Sequence, residues 1–367
     1  MATSRGSSVP PAGSHTRLQV LRTRYPHWGA YTGIHQFLRY LDADRFAVDV
    51  RLVADGDDDF PVKTGWIRKP VRWMLRRGGM PWYKLSDLAA EVRMVRRSLR
   101  RRLDVVHYLD GEHSARYLPR LLRATRARRP KTIATYHQPA ELLDSLVTRK
   151  AVRSLDAVTL VAPEQLPYFD GLLPNERVRV ILHGIDVHFF QPPAERDMSD
   201  TVRCITVGHY LRDFRAIRAV AELLAGDDRF RFDVVSSQAR ELAGIPNVET
   251  HSGLDDSELV RLYQRADVLF LPLLQSTANN ALLEGIACGL PVVSTQLPSV
   301  KAYVPGAEAV LVEENDADAF VAVLQSLADN PARRAFMGRT ARARAEELAW
   351  EKVAPEYARL YQELIGG

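Results

Sequence analysis

Short apolar runs alternate with stretches of helical spacing along most of the chain, which is typical of parallel α/β sheets. In the first half, strands are predicted at residues 18–21, 47–53, 105–108, 132–136 and 157–162. In the second half, they are predicted at residues 203–207, 232–236, 248–253, 268–274, 292–295 and 310–312. Helical spacing is found over residues 34–41, 91–102, 256–265, 317–327, 331–348 and 350–365.

The segment 267–295 combines a buried strand, a polar loop and a short helix. A polar loop, 275–280, follows the apolar run, and a helix begins at Ala281 and ends before Gly289. In a parallel sheet such a loop lies at the carboxyl ends of the strands, where the helix amides point outward. The segment therefore predicts an anion site. The alternative is an ordinary surface loop, followed by a helix with a solvated Glu284.

Two residue types in this segment suit a phosphorylated ligand. Asn279 and Asn280 tolerate left-handed backbone geometry, which lets successive amides converge on one group of oxygens. Glu284 lies one helical turn further on, where its carboxylate would accept hydrogen bonds from a sugar diol.

Two weaker candidates lie in the first half of the chain. Gly29 and Gly33 follow the first predicted strand and would let the backbone approach a ligand closely, although a glycine pair is more often a plain turn. His137 comes directly after the strand 132–136. A single histidine there is by default a hydrogen-bonded structural residue. His107 and His113 have weaker claims.

Length and composition describe an ordinary globular protein. The 367 residues suggest two domains, and 46% hydrophobic with 26% charged residues provide ample material for a core. No apolar run is long enough to span a bilayer. Residues 1–16 are rich in Ser, Pro and Gly and are predicted to be a disordered tail instead of a signal peptide. Cys204 and Cys288 indicate buried thiols in a reducing compartment, and the acidic loop 55–59 reads as a solvated turn.

Positive charge is concentrated in one window. Residues 63–102 contain thirteen Lys or Arg and two acids, a net +11, whereas the whole chain carries +5. Trp66, Trp73 and Trp82 lie in the same window. An anionic membrane, a nucleic acid or a phosphorylated acceptor would select such a mixture. The alternative is an Arg-rich helix with one solvated face and tryptophans packed in the core.

The segment 276–293 resembles the signature of glycosyltransferase family 4. Glu284 and the run Ala-Cys-Gly-Leu-Pro-Val-Val at 287–293 match that signature, while Ser276 stands where the family has its first Glu. The resemblance implies the GT-B fold, in which two Rossmann-like, doubly wound parallel-sheet domains face each other across a cleft. It places a tail at 1–16, an acceptor domain at 17–185, a nucleotide-sugar domain at 186–349 and a crossing helix at 350–367.

The resemblance also assigns roles to individual residues. His137, Arg212 and Glu284 are the expected catalytic residues. Whether Arg212 or Arg215 contacts the diphosphate stays open, because His209 replaces the family's Arg and the loop is shortened. The expected nucleotide-sugar contacts are Gly29, Gly33, His209, Arg215, Ser276, Thr277, Ala278, Asn279, Asn280, Ala281 and Leu282. Neither a metal nor a separate cofactor is expected.

The predicted activity is retaining, metal-independent transfer of a sugar from a nucleotide diphosphate-sugar to an acceptor hydroxyl on the same face. The base, the sugar and the acceptor are not specified. The resemblance suggests a cytoplasmic enzyme, with a peripheral contact to the inner membrane through the 63–102 window and no nucleic-acid partner. A nucleotide-sugar epimerase or hydrolase of the same fold, and a non-catalytic binding protein, remain as alternatives.

Overall fold

The computed structural model describes residues 15–24, 29–100, 102–124, 129–195 and 200–366. Most of the predicted tail, and residues 26–28 at the start of the predicted glycine loop, lie outside these ranges. The described chain divides into two compact units. The first contains residues 15–24, Ile34–Ile181 and 353–366, and the second contains residues 29–33 and Leu182–Lys352.

The first unit is built on six parallel strands in the order β2-β1-β3-β4-β5-β6. The strands are β1 (Thr16–Arg24), β2 (Phe46–Ala54), β3 (Val105–Tyr108), β4 (Lys131–Tyr136), β5 (Ala157–Leu160) and β6 (Val178–Val180). The helices are α1 (Gly65–Arg76), α2 (Leu85–Arg100), α3 (Leu118–Ala124), α4 (Ala140–Leu146), α5 (Arg149–Val152) and α6 (Leu166–Phe169). The predicted helix after β1 is a 3-10 helix, Ile34–Tyr40.

The second unit has six parallel strands in the order β12-β11-β10-β7-β8-β9. The strands are β7 (Val202–Val207), β8 (Phe230–Val235), β9 (Val248–His251), β10 (Val268–Leu271), β11 (Val292–Thr295) and β12 (Ala309–Val312). The helices are α7 (Phe214–Leu223), α8 (Asp256–Arg265), α9 (Asn280–Ala287), α10 (Pro298–Tyr303), α11 (Ala317–Ala328) and α12 (Pro331–Glu347). Both sheets are therefore parallel and flanked by helices, which confirms the predicted fold class.

The strand order places a switch point in each sheet. The second sheet has the Rossmann order, in which the chain runs outward in both directions from the switch point between the adjacent strands β7 and β10. The loops that follow these two strands diverge and leave an open crevice at the carboxyl ends of the strands. Both strands are fully buried, or nearly so, as is usual in a parallel sheet covered by helices.

The last helix, α13 (Trp350–Gly366), belongs to the first unit from Val353 onward. His107 on β3 lies between the Tyr361 hydroxyl, 2.7 Å from Nδ1, and the Thr135 hydroxyl, 2.8 Å from Nε2. Burial lowers the pKa of His107 to about 3, so the imidazole is neutral and joins α13 to the sheet. His107 is thus a structural residue.

Two sequence interpretations are corrected by the first unit. The acidic loop 55–59 is not a solvated turn: Asp57 forms ion pairs with Arg68 and Arg72 and accepts a hydrogen bond from the Leu85 amide at 3.0 Å. Trp66 and Trp73 are not core residues, because they are 75% and 57% exposed on α1. Helix α1 buries only Leu75 completely, Val71 is partly buried against the core, and the Asp57 ion pairs add to this packing.

Both cysteines are buried, as predicted. Within the described ranges, no helix combines the length and apolar composition that a bilayer crossing requires.

Gly184 lies in the segment that enters the second unit, and a β-carbon there would come within 2.5 Å of Trp350. We expect Gly184→Ala to destabilise the protein by about 1 to 3 kcal/mol, the usual cost of overpacking. Thermal unfolding measures the effect. Gly226→Ala is the matched control, since a β-carbon at Gly226 has no neighbour within 4 Å. Equal unfolding midpoints for the two variants would contradict the predicted clash.

Candidate functional site

Two loops at the switch point of the second sheet form the candidate site. The first follows β7 and contains Arg212, and the second follows β10 and leads into α9. Backbone hydrogen bonds join them, from the Leu274 amide to the Leu211 carbonyl at 2.9 Å and from the Asp213 amide to the Pro272 carbonyl at 3.0 Å. The first loop turns sharply because Gly208 and Leu211 have left-handed φ angles of 93° and 57°.

The Arg212 side chain folds back over this turn onto the second loop. Its Nε donates to the Val207 carbonyl at 2.9 Å and its Nη1 to the Tyr210 carbonyl at 3.1 Å. Its Nη2 donates to Asn279 Oδ1 at 3.0 Å. Burial lowers the pKa of Arg212 to about 10, so the guanidinium remains charged at neutral pH. Three of its five N–H donors are used, which leaves two for a ligand.

Asn279 caps α9, and its Oδ1 also accepts a hydrogen bond from the Leu282 amide at 3.3 Å. Arg212 is therefore fixed beside the amides of a helix N-terminus, where the helix dipole adds further positive potential. Ser276 and Thr277 are buried next to this terminus, and the Ser276 hydroxyl donates to the Thr277 carbonyl at 3.3 Å. This arrangement can bind an anion with several oxygens.

Glu284 is buried one turn into α9, and both of its oxygens accept hydrogen bonds from hydroxyl groups. Thr32 donates to Oε1 at 3.0 Å, and Tyr263 donates to Oε2 at 2.9 Å. Burial raises the pKa of Glu284, while these hydrogen bonds act in the opposite direction. The alternative of a solvated Glu284 is therefore wrong, and the predicted contact with a sugar diol stays a prediction. Each carboxylate oxygen still has a second lone pair that a ligand hydroxyl can use.

The glycine loop 29–33 packs within the second unit, although the sequence placed it in the first domain. The Ala30 amide donates to Asp256 Oδ2 at 2.8 Å, and the Tyr31 ring stacks on Phe189 with centroids 3.6 Å apart. A β-carbon on Gly29 would lie 1.9 Å from Asp256 Oδ1. The backbone at Gly29 was predicted to approach a ligand closely, and in the structure the group that lies against it is the Asp256 carboxylate. Gly33 has a φ of 104°, which explains glycine at that position.

A second group of polar residues supports the two loops from β11 and β12. Asn315 Nδ2 donates to Asp213 Oδ2 at 2.9 Å and to the Leu273 carbonyl at 3.0 Å. The Thr295 hydroxyl donates to Asn315 Oδ1 and accepts a hydrogen bond from the Leu273 amide at 2.6 Å. Thr295 and Asn315 were not predicted as site residues, although Thr295 ends the predicted strand 292–295 and Asn315 follows the predicted strand 310–312 by three residues.

In the first unit, His137 lies at the carboxyl end of β4 and is half-buried. Its Nε2 donates to the Leu109 carbonyl at 2.7 Å, because a carbonyl oxygen can only accept. The carboxylate of Glu112 accepts hydrogen bonds from the amides of His137 and Gln138 at 2.5 and 2.8 Å. Glu112 was missed, although it follows β3 at the same edge of the sheet.

The structure separates the predicted residues of the second unit into two groups. His209 and Arg215 are exposed, and only the backbone amide of Arg215 takes part in the cap of α7. The remaining predicted residues from Arg212 to Glu284 gather at the start of α9. Of the two arginines left open by the sequence, Arg212 is the one beside the helix amides.

One group of potential metal ligands comes together among the described residues: Asp233, Glu249 and His251. His251 Nε2 lies 2.8 Å from Asp233 Oδ1, and the guanidinium groups of Arg203 and Arg265 are 4.0 and 3.9 Å from the same carboxylate. Because two cations already face Asp233, we assign no metal to this group.

Comparison with known proteins agrees with this description. Residues 29–189 match the family described as Glycosyltransferase Family 4, and residues 207–330 match the one described as Glycosyl transferases group 1. The sucrose-phosphate synthase of Thermosynechococcus elongatus has a similar structure, with a TM-score of 0.72 at 16% identity over 95% of this chain and 99% of that one. Anabaena HepE in complex with UDP has a TM-score of 0.66 at 12% identity over 95% and 100% of the two chains.

The two sheets and their structural neighbours define the GT-B class. Within that class the chain resembles glycosyltransferase family 4, as predicted. Among curated relatives, the MMP alpha-(1->4)-mannosyltransferase of Mycolicibacterium hassiacum is 28% identical over 240 residues, which are 62% of this chain and 56% of the relative. The chain spans less than two thirds of the length of the curated relatives it matches.

The buried Glu284 predicts a pH-dependent effect of Tyr263→Phe. Because burial raises its pKa in the folded state, Glu284 favours folding most below the unfolded pKa, and this contribution decreases as the pH rises toward the folded pKa. Removing the Tyr263 hydroxyl deprives the ionised Glu284 carboxylate of a hydrogen-bond donor and raises the folded-state pKa further. The decrease in the free energy of unfolding therefore continues to a higher pH. We expect a loss of about 1 to 3 kcal/mol at pH 8 and a smaller loss at pH 4.

Denaturant unfolding at both pH values measures this difference. Tyr210→Phe, at a tyrosine that is 50% exposed, is the control. A Tyr263→Phe loss that is equal at pH 4 and pH 8 would contradict an interaction with the ionised carboxylate.

Proposed function

We propose that this protein is a retaining glycosyltransferase that transfers a sugar from a nucleoside diphosphate-sugar to an acceptor hydroxyl. The observation that carries the proposal is the Arg212 guanidinium, fixed by Asn279 beside the N-terminus of α9 at the switch point of the second sheet. A diphosphate has the charge and the several oxygens that this arrangement fits.

The first step of the proposed reaction is loss of the nucleoside diphosphate. Negative charge develops on the phosphate oxygen that leaves the sugar, and the two remaining Arg212 donors and the amides of Asn280 and Ala281 stabilise it. Because these groups are held by protein hydrogen bonds, they need little reorganisation during the reaction. The charge of the Arg212 guanidinium and the dipole of α9 can replace the charge of a divalent cation. We propose that neither a metal nor another cofactor is required.

The second step is attack by the acceptor hydroxyl on the face that the diphosphate leaves. The departing phosphate oxygen takes the acceptor proton, the acceptor oxygen forms a C–O bond in place of the one that the diphosphate has left, and the configuration is retained. This route needs positioning and electrostatic stabilisation, and no protein nucleophile. We propose that His137 of the first unit takes part in catalysis, as the resemblance implies.

The remaining residues near α9 are assigned to the nucleotide and the sugar. Glu284 would bind the ribose diol through the lone pairs that Thr32 and Tyr263 leave unused. Ser276 and Thr277 lie at the start of α9, and with Asn280 they would contact the donor sugar. Ser276 is shorter than the Glu of the resembling family and uncharged, so we expect the sugar hydroxyls to be bound differently.

The comparisons suggest which compounds to test first. UDP is the nucleotide in the HepE complex, and the M. hassiacum relative is named as a mannosyltransferase. UDP, GDP and their hexose derivatives are therefore the first donors to assay with this protein.

We also propose that α1 contacts an anionic membrane. Trp66 and Trp73 are seven residues apart and thus on one face of the helix, and both are exposed. Exposed Lys69, Arg76 and Arg77 flank them. Tryptophan and basic residues together suit the interface of an anionic bilayer.

Arg212→Gln tests the diphosphate assignment. We expect the affinity for UDP or GDP, whichever binds, to fall by about 1.5 to 3 kcal/mol, or about ten- to a hundredfold in Kd, because a charged hydrogen-bond partner is lost. Calorimetry gives the Kd, and Arg215→Gln is the matched control because Arg215 is exposed on the adjacent helix. Product configuration is read by NMR. An inverted product, or donor hydrolysis without transfer to any acceptor, is the result that refutes the proposed reaction.

The membrane contact is tested with Trp66→Ala/Trp73→Ala. Binding to phosphatidylglycerol vesicles should exceed binding to phosphatidylcholine vesicles, decrease with salt and fall at least about fivefold in the variant, since two exposed aromatic side chains are lost. Sedimentation measures binding. Equal binding of variant and wild type would remove α1 from the contact.

A further inference from the structure

An open cavity of about 550 Å³ lies beside α2 in the first unit. It is lined by Asp49 of β2 and by Arg93, Arg96, Arg97 and Arg100 of α2. Residues spaced three, four and seven apart lie on one face of a helix. The sequence of α2 therefore directs four guanidinium groups toward one cavity.

Only two of the four arginines are engaged by the protein. Arg97 forms an ion pair with Asp49, and Arg93 Nη2 donates to the Asp59 carbonyl at 3.1 Å. Arg96 and Arg100 are exposed, and neither guanidinium group has a hydrogen bond or an ion pair within the described ranges. The cavity thus presents two guanidinium groups whose charge is not compensated.

A fifth arginine increases the crowding of positive charge. Arg51 lies on β2 two residues from Asp49, and burial together with the neighbouring Arg93 lowers its pKa. Like charges at this spacing repel one another, so an anion that enters the cavity gains from several of them at once. Guanidinium groups bind phosphate oxygens through paired N–H donors.

We propose that this cavity binds a phosphate group, presented either by a soluble phosphorylated compound or by the headgroup of an anionic lipid. The site is separate from the α9 site, because it lies in the other unit and shares no residue with it. It also differs from the α1 surface, because its donors are arginines of α2 and it does not depend on Trp66 or Trp73.

The test uses the full-length protein and the variant Arg96→Gln/Arg100→Gln. Two probes carry the same phosphomonoester: glycerol 3-phosphate, followed by calorimetry, and phosphatidic acid vesicles, followed by sedimentation. We expect the variant to bind at least one probe at least about tenfold more weakly, since two charged donors are lost. A loss confined to glycerol 3-phosphate identifies a soluble ligand, and a loss confined to the vesicles identifies a lipid headgroup.

A matched control removes the same charge elsewhere. Arg261 and Arg339 are exposed on α8 and α12, and Arg261→Gln/Arg339→Gln should bind both probes like the wild type. The proposal is overturned if the α2 variant binds both probes like the wild type, or if the control variant loses as much affinity as the α2 variant.

Arg100 lies in the last turn of α2, where a positive side chain also stabilises the helix. The single variant Arg96→Gln avoids this effect, because Arg96 lies one turn further from the helix end. Arg96→Gln should still weaken binding about threefold, the effect of one weak polar contact. Unchanged affinity in this variant would also overturn the proposal.

Discussion

The hydrogen bond between Arg212 and Asn279 joins the two loops on which the candidate site depends. It is possible because Gly208 has no side chain: a β-carbon there would lie 3.0 Å from Arg212 Nη2, in a backbone with a left-handed φ. The absence of a side chain at Gly208 thus leaves room for the Arg212 guanidinium to reach from the loop after β7 to the N-terminus of α9. The same Asn279 oxygen caps α9, so the position of the cation and the start of the helix are fixed together.

Glu284 connects this site to parts of the chain that are distant in sequence. Thr32 is 252 positions away, Tyr263 is 21 positions away, and both donate to the same carboxylate. Asp256, at the start of the helix that carries Tyr263, binds the loop that carries Thr32. The carboxylates of Asp256 and Glu284 thus join the glycine loop, α8 and α9. A buried carboxylate stabilises such an arrangement only while its hydrogen bonds are complete.

Most strands and several helices were predictable, because buried parallel strands read as apolar runs and amphipathic helices as periodic ones, whereas α1 and α7 were not predicted. The strands Val105–Tyr108 and Val292–Thr295 have the predicted bounds. Asn279 was predicted as a site residue because Asn tolerates left-handed geometry, and this reason is wrong: its φ is −117°, and it acts instead as the cap of α9. Thr32 and Tyr263 were not predicted, because a contact with Glu284 depends on how the whole unit packs. The sequence could not decide between Arg212 and Arg215, because the direction of the Arg212 side chain depends on the left-handed backbone of Gly208 and Leu211 in the same loop. The exposure of Trp66 and Trp73 depended on α1 having a single buried side chain.

That single buried residue has a consequence for motion. Helix α1 is held by Leu75, by the partly buried Val71 and by the Asp57 ion pairs with Arg68 and Arg72, and the Asp57 carboxylate also accepts from the first amide of α2. Segments with little apolar burial open locally at a much smaller free energy than the core. Partly exposed ion pairs are weakened by salt, so α1 should open more often as the ionic strength rises. The amides of α1 should therefore exchange with solvent long before those of β3 or β4, and an opened α1 leaves its tryptophans within the thirty-residue segment 55–84 that joins β2 to α2.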